Sequence, residues 1–152
     1  MRILIQRVRS GAVEINGQTA GSIGQGMVAL VGVGKGDTAA DADYLARKTA
    51  ALRIFEDDNG KLNRSLRDTG GAALVVSQFT LYADTRRGNR PGFDQAADAA
   101  TANELYRHYV QALRREGVAV ETGVFQADML VRIENDGPVT ILLESPVKEK
   151  QA

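Results

Sequence analysis

The stretch Asn135-Asp136-Gly137-Pro138-Val139-Thr140 lies between two short apolar runs near the end of the chain. These runs, residues 129–133 and 139–143, are rich in β-branched residues and bounded by turn formers, which predicts two strands. Asn-Asp-Gly between them predicts a hairpin turn. Pro138 complicates that prediction, because proline donates no ladder hydrogen bond and is confined to strand starts, edges and bulges. Gly-Pro here indicates either an ordinary turn or a fixed backbone shape such as a cis peptide bond.

A second motif, Ser77-Gln78-Phe79-Thr80-Leu81-Tyr82, follows the apolar run at residues 72–76. The run and the motif together predict one long strand over residues 72–82, with the motif at its end. Three further segments lie in order around these two, namely Ile5-Gln6-Arg7-Val8, Arg87-Gly88-Asn89-Arg90-Pro91 and Ala127-Asp128-Met129. Together the five segments resemble the D-aminoacyl-tRNA deacylases, which hydrolyse the ester between a D-amino acid and its tRNA. The resemblance spans nearly the whole chain, to about residue 145.

The composition is typical of a soluble globular protein. The 152 residues are 43% hydrophobic and 25% charged, which predicts a single domain over residues 1–152. No run approaches the ~18 apolar residues of a membrane span, and no leader sequence opens the chain, so a cytoplasmic location without a membrane partner is expected. Because there is no cysteine and a metal site would need carboxylates for nearly every ligand, we expect neither a metal nor another cofactor.

Two other patterns do not favour catalysis or nucleotide binding. His108 is the only histidine and lies within a predicted helix, which favours a surface or helix-packing role over a catalytic triad. Gly32, Gly34 and Gly36 match neither glycine-rich phosphate-binding pattern, and we interpret them as a turn.

Charge is balanced overall but not evenly distributed. The 19 basic and 19 acidic residues give a formal net charge of zero, which argues against broad duplex binding and hence against a DNA partner. A small contact with an RNA end remains compatible with this balance. Five arginines occupy two predicted loops that flank the second motif, and without the family resemblance they would be interpreted as solvated loop charges: Arg64, Arg67, Arg86, Arg87 and Arg90.

The chain as a whole predicts about nine strands and two long helices. Asn16-Gly17 predicts the type I′ turn of an early hairpin, and residues 27–33 predict a strand covered on both faces. One helix is predicted to begin after Asp37 and Thr38, and another to span about residues 95–116. Residues 61–71 are predicted to be an irregular connection anchored by Leu62 and Leu66. The predicted class is α/β (α+β), a strongly curved, barrel-like mixed sheet with both helices on one side, as the resemblance also implies.

The candidate chemistry has few side chains to use. Ester hydrolysis needs a nucleophile, a proton acceptor and donors for the developing oxyanion. Ser77 and Thr80 offer hydroxyl groups without a base nearby in the sequence, whereas the main-chain N–H groups of Phe79 and Thr80 could serve as oxyanion donors. We favour catalysis assisted by water and by the free hydroxyl beside the ester on the terminal adenosine. Covalent attack by Thr80 is the alternative.

The resemblance implies roles for individual residues. It implies a homodimer in which the cis dipeptide Gly137-Pro138 enters the partner's active site and occupies the space that an L-amino acid would need. Arg7 would hold this dipeptide, although an exposed edge-strand position is the plain alternative for it. Ser77, Gln78, Phe79 and Met129 would line the pocket for the aminoacylated adenosine, although Phe79 and Met129 could also be core residues. Gln126 stands where the family commonly has glycine.

The expected substrates are the aminoacylated 3′ ends of D-aminoacyl-tRNA and glycyl-tRNA. Two other functions remain open. One is a non-catalytic RNA-binding module that shares the fold, and the other is a small-molecule esterase that uses Thr80.

Overall fold

The computed structural model describes residues 1–148, which contain eight strands, three α-helices and one 3₁₀ helix. The strands are β1 Arg2–Ile15, β2 Gln18–Ile23, β3 Gly26–Gly32, β4 Phe55–Glu56, β5 Leu62–Arg64, β6 Ala72–Ser77, β7 Ala119–Thr122 and β8 Leu130–Glu144. The α-helices are α1 Ala39–Ala51, α2 Leu66–Thr69 and α3 Ala99–Arg115, and the 3₁₀ helix is Phe79–Tyr82.

Six strands form one mixed sheet in the order β2-β1-β3-β6-β7, with β8 paired to β1. β3, β6 and β7 run parallel to one another, whereas β1 is antiparallel to each of its three partners. The far ends of the sheet approach each other, since a methyl group on Gly21 of β2 would lie 2.6 Å from the carbonyl oxygen of Thr122 in β7. The sheet is therefore strongly curved and barrel-like, as predicted.

The core consists of two apolar clusters, one on each face of the sheet. The larger cluster joins β1, β3 and β6 to buried side chains of both long helices, and the smaller one contains only strand residues. The prediction that both helices cover one side is confirmed. Fully buried members of the smaller cluster are Val8, Val13, Val28 and Leu74.

Local signals set several elements as predicted. Asn16 and Gly17 have φ values of 51° and 77°, which a type I′ turn requires at both central residues. Thr38 is the N-cap of α1, and the Asp41 carboxylate accepts the main-chain N–H of Thr38 at 2.7 Å. The strand predicted at residues 27–33 is buried on both faces.

Several predicted boundaries are wrong. The long strand expected over residues 72–82 ends at Ser77. The N–H of Gln78 makes the last bond of the β3–β6 ladder, to the carbonyl of Val31 at 2.7 Å, and the motif then turns into the 3₁₀ helix. Helix α3 begins at Ala99 rather than near residue 95, since Asp98 caps it by accepting from the N–H of Thr101.

The connection at residues 61–71 is more ordered than expected. It contains β5, which pairs only with β4, and the short helix α2. Leu66 is buried and anchors this segment as predicted, but Leu62 is 46% exposed because the β4–β5 ribbon lies outside the main sheet. In total, residues 1–148 contain eight strands, whereas about nine were predicted.

The largest correction concerns the predicted hairpin at residues 129–143. This segment is one strand, β8, whose two halves both pair with β1. β1 is long enough to do so because the first predicted strand continues into the first hairpin, from Arg2 to Ile15. The Asn-Asp-Gly signal marks a bulge within β8 instead of a turn between two strands.

Candidate active site

The 3₁₀ helix packs closely against two glycines, one at the end of β3 and one two residues after it. A methyl group on Gly32 would lie 2.9 Å from Cβ of Leu81, and one on Gly34 would lie 2.7 Å from the ring of Tyr82. Gly36, with φ of 83°, turns the chain as predicted. For the other two the predicted turn is wrong, because Gly32 ends β3 and Gly34 forms a β-bridge with Ala96, and both let the second motif pack closely.

Arg2 holds the 3₁₀ helix from the other side. Its Nη1 donates to the carbonyl of Leu81 at 2.8 Å, and its guanidinium lies 4.5 Å from the centre of the Tyr82 ring. Burial of the Tyr82 hydroxyl, with a smaller effect of Asp37, raises the pKa of Tyr82 to about 12. The 3₁₀ helix is thus fixed by contacts on both sides.

A cavity of about 580 Å³ opens beside the end of β6. It brings together four residues that the sequence predicts to bind substrate, namely Ser77, Gln78, Phe79 and Met129. The remaining lining residues come from β6, the start of α3, the loop before β8 and β8 itself: Val76, Ala97, Ala99, Ala102, Phe125, Gln126, Ala127, Asp128 and Val131.

The main chain beside the cavity offers two unused donors. Among the hydrogen bonds of residues 1–148, none has the N–H of Phe79 or of Thr80 as its donor. These groups lie at the start of the 3₁₀ helix, where N–H groups have no partner within the helix. The Thr80 hydroxyl contacts the side-chain amide of Gln78, and Thr80 does not line the cavity.

Sequence reasoning missed several lining residues. Phe125 and Asp128 lie in the loop before β8, and Asp128 is the one carboxylate in the lining within the part of the chain that the structure describes. Its place beside Met129 in a recognised motif was the available signal. The alanines at the start of α3 gave no signal, since their contribution is only the space that a small side chain leaves.

Gln126 adopts a left-handed backbone with φ of 64°. Such a conformation costs a non-glycine residue more than glycine. This gives a physical reason why the family resemblance implies a glycine at the position.

The bulge in β8 lies opposite a single residue of β1. Thr140 pairs with Gln6 and Asn135 pairs with Val8. Residues 136–139 therefore lie opposite the single β1 residue Arg7 in the strand register. The Asn135 side chain braces the bulge, accepting the N–H of Val139 at 3.2 Å and donating to the Thr140 hydroxyl at 2.9 Å.

Gly137 and Pro138 lie exposed at the tip of this bulge. Their peptide bond is cis, the isomer that the resemblance implies. Gly137 has φ of 125°, in a region that L side chains rarely adopt.

Arg7 supports the bulge from below and is only 7% exposed. Its Nη1 donates to the carbonyl of Ile54 at 2.9 Å, and its Nε donates to the carbonyl of Asp136 at 3.0 Å. A methyl group on Gly137 would lie 2.9 Å from Nη2 of Arg7. The charge that was unusual in a core strand therefore has buried partners, and Arg7 is not an exposed edge residue.

The cavity and the bulge are separate within one chain. The cavity lining includes Val131 but not Arg7, Gly137 or Pro138. Because a strand rises about 3.3 Å per residue, Val131 and Gly137 are up to about 20 Å apart along β8. The structure thus groups the predicted pocket residues together and places the predicted filter elsewhere.

His108 Nε2 lies 2.8 Å from the Asp43 carboxylate and joins α3 to α1, so the predicted helix-packing role is confirmed. Residues 1–148 contain no group of three or more His, Asp or Glu side chains placed to hold a metal ion. In the same range, no helix is both long and apolar enough to span a membrane.

Comparison with known proteins agrees with these features. The family model described as D-Tyr-tRNA(Tyr) deacylase matches residues 4–144. A D-aminoacyl-tRNA deacylase of Chlorobaculum tepidum is 56% identical over 97% of this chain and 99% of its own, and one of Heliobacterium modesticaldum is 57% identical over 95% and 96%.

Solved structures show the same fold. One titled c-Myc DNA Unwinding Element Binding Protein superposes with a TM-score of 0.90 at 38% identity, covering 97% of this chain and all of that one. A probable eukaryotic D-amino acid tRNA deacylase superposes with a TM-score of 0.79 at 17% identity, covering 94% and 98%, and supports the fold alone. The chain belongs to the D-aminoacyl-tRNA deacylase family, a family of ester hydrolases.

Proposed function

We propose that this protein hydrolyses the ester bond of D-aminoacyl-tRNA and of glycyl-tRNA, releasing the free amino acid and the tRNA. The observation that carries the proposal is the cavity beside the unused N–H groups of Phe79 and Thr80. Its volume of about 580 Å³ lies within the usual range of small-ligand sites.

The main chain is proposed to supply the principal catalytic donors. Water attacks the ester carbonyl carbon, and the N–H groups of Phe79 and Thr80 stabilise the negative charge that develops on the carbonyl oxygen. The bond to the tRNA oxygen then breaks, and that oxygen leaves with a proton. The free hydroxyl beside the ester assists the proton transfer, so the Thr80 hydroxyl is not needed as a nucleophile. No cofactor takes part in this scheme.

Aromatic and flexible side chains are proposed to bind the terminal adenosine. Phe79 is 56% exposed and offers a ring face on which a base can stack. Met129 and Phe125 line the same cavity and add apolar surface for the base. Ser77 and Gln78 provide polar groups that can orient the substrate.

The chiral filter is proposed to come from a second copy of the chain. Gly137 and Pro138 are exposed and lie outside the cavity of their own chain, which supports a role across a subunit interface. In an isologous dimer each dipeptide enters the partner's cavity, and its main-chain carbonyls occupy the space of an L side chain. Arg7 keeps the dipeptide in position through its hydrogen bond to the carbonyl of Asp136, the residue before Gly137.

The deciding experiment measures deacylation of D-tyrosyl-tRNA and L-tyrosyl-tRNA by the purified protein. Rapid release from the D substrate alone is expected, whereas a non-catalytic RNA-binding module would release neither amino acid. Turnover of D-tyrosine ethyl ester without RNA would favour the small-molecule esterase. Because a relative at 38% identity is named for DNA binding, duplex DNA is a useful competitor, and it should not inhibit the reaction.

The proposed dimer and location have separate tests. Sedimentation should give a dimer at assay concentrations, and an active monomer would contradict the cross-subunit filter. Cell fractionation should place the protein in the cytoplasm with the tRNA.

A further inference from the structure

The loop formed by residues 84–92 carries a basic surface beside the active-site cavity; we refer to it as the arginine loop. It is closed at its base by two hydrogen bonds between Asp84 and Gly92, whose N–H groups donate to each other's carbonyls at 2.7 and 2.9 Å. Gly88, with φ of 68°, turns the chain within it. The loop is therefore a closed structure rather than an open connection.

Two of its three arginines have no counter-charge. Arg86 donates to both carboxylate oxygens of Asp84, at 2.9 and 2.8 Å, and these bonds lower the pKa of Asp84 to about 2. Arg87 and Arg90 are exposed, and within residues 1–148 neither forms an ion pair or a side-chain hydrogen bond. By contrast, Arg67 in α2 is paired with Glu116 at 2.9 Å, and Arg64 in β5 donates to the carbonyl of Asp68 at 3.0 Å. Of the five arginines that flank the second motif, Arg87 and Arg90 are the two whose side chains have no partner within residues 1–148.

These two arginines line an open cavity of about 550 Å³ above the loop. The other lining residues are Asp84, Arg86, Gly92, Asp94 and Gln95, so Asp94 is the one carboxylate there that Arg86 does not pair. This cavity is next to the active-site cavity, because Phe93 at the base of the loop packs edge-on against Phe79 with ring centres 5.0 Å apart. A strand of nucleic acid leaving the active site can therefore reach the arginine loop.

We propose that Arg87 and Arg90 bind the phosphodiester backbone of the tRNA 3′ end, just upstream of the aminoacylated nucleotide. The assignment rests on the proposed function, which puts that nucleotide in the neighbouring cavity. Guanidinium groups match the geometry of phosphate oxygens and bind them with two parallel hydrogen bonds. In a chain of zero net charge, such local contacts rather than a general positive field must hold the RNA.

The test compares two substrates of the same enzyme, D-tyrosyl-tRNA and 3′-O-(D-tyrosyl)adenosine, which has no phosphate. In the double variant Arg87→Ala/Arg90→Ala, KM for D-tyrosyl-tRNA should rise about tenfold with kcat unchanged. The kcat/KM for the adenosine ester should change by less than about twofold. Raising the salt from 50 to 200 mM should reduce the difference in KM for D-tyrosyl-tRNA between the wild type and the variant, because salt weakens phosphate contacts.

The matched control is Arg47→Ala/Lys48→Ala on α1, which removes the same charge from exposed positions that line none of the cavities described above. It should leave KM for D-tyrosyl-tRNA unchanged, and Arg87→Lys/Arg90→Lys should restore part of the affinity by keeping the charges. An unchanged KM for tRNA in the alanine variant, or an equal loss on both substrates, would overturn the phosphate assignment. Failure of the wild type to hydrolyse either substrate would instead overturn the proposed function.

Discussion

The cavity beside Ser77 and the bulge at Gly137-Pro138 are built in opposite ways. The cavity is open, with alanines along one wall and main-chain N–H groups that donate to no group within residues 1–148. The bulge is braced, since Asn135 bonds across it and buried Arg7 holds the carbonyl of Asp136 from below. A site that accepts many side chains needs space and fixed donors, whereas a backbone element that rejects one enantiomer needs a rigid shape. We therefore expect that removing a hydroxyl beside the cavity has a small effect on activity. Removing the contacts that brace the bulge should have a large effect.

The largest expected effect is on the substrate rather than on the protein. A D-tyrosyl-tRNA that ends in 2′-deoxyadenosine lacks the hydroxyl beside the ester, and its hydrolysis should be slower by about 10² to 10⁴-fold, the usual contribution of a general acid or base. Single-turnover rates with saturating enzyme measure this directly. A rate close to that of the ribose substrate would mean that a protein group carries out the proton transfer. Asp128 would be the first residue to examine.

Gly137→Ala tests whether the bulge needs its shape. The added methyl group would lie 2.9 Å from both Arg7 and Val139, at a φ of 125° that alanine rarely adopts. Since displacements of about 1 Å at an active site can change rates by about 10²-fold, release from L-tyrosyl-tRNA should rise by up to that factor. Gly24→Ala is the control, because nothing lies within 4 Å of the position and its φ is not positive. If a folded Gly137→Ala dimer discriminated between D-tyrosyl-tRNA and L-tyrosyl-tRNA as well as the wild type does, the shape of the bulge would not determine chiral selectivity.

Arg7→Ala tests the bracing through stability. It leaves the carbonyl of Ile54 without its donor and the bulge without support, so unfolding free energy should fall by about 3 kcal/mol. For a chain of this length that corresponds to a Tm lower by about 6 to 12 °C.

Arg9→Ala is a close control for this change. Arg9 is also a β1 arginine near Asp136, with Nε 3.5 Å from a carboxylate oxygen, but its side chain is 77% exposed. Its removal should cost less than about 1 kcal/mol. Equal losses for Arg7→Ala and Arg9→Ala in calorimetry would show that burial of Arg7 does not brace the bulge.

The sequence predicted local features of the fold better than its long-range strand pairing. The cap at Thr38, the turn at Asn16-Gly17 and the apolar strand at residues 27–33 depend on neighbouring residues, and each is present. The hairpin prediction was wrong because Asn-Asp-Gly is also compatible with a bulge, and only the distant strand β1 decides between them.

The candidate site shows the same limit. The motif at Ser77 was visible, but its strand ends early and its second half packs as a 3₁₀ helix against Gly32 and Gly34, which are remote in sequence. Arg7 was recognisable as an unusual charge, whereas its partner Ile54 was not, since a carbonyl has no sequence signal. The alanines of the cavity wall were missed for a similar reason, because the space they leave has no chemical signature.

The smallest effect is expected for Thr80→Ala. The Thr80 hydroxyl contacts the Gln78 amide and lies outside the cavity lining, while the N–H that is proposed to act remains in the alanine variant. Activity on D-tyrosyl-tRNA should fall by less than about tenfold. A loss of several orders of magnitude in steady-state kinetics would revive the covalent mechanism.

Glycyl-tRNA tests whether the protein rejects L side chains by occupying their space. Glycine has no side chain to exclude, so a filter that works by rejection has nothing to reject. Glycyl-tRNA and D-alanyl-tRNA should both be hydrolysed at an appreciable rate, whereas L-alanyl-tRNA should not. Glycine and L-alanine differ by one methyl group, which isolates steric exclusion from binding strength. If glycyl-tRNA proved as resistant as L-alanyl-tRNA, the cavity would have to recognise the D side chain positively, and the role proposed for Gly137-Pro138 would be wrong.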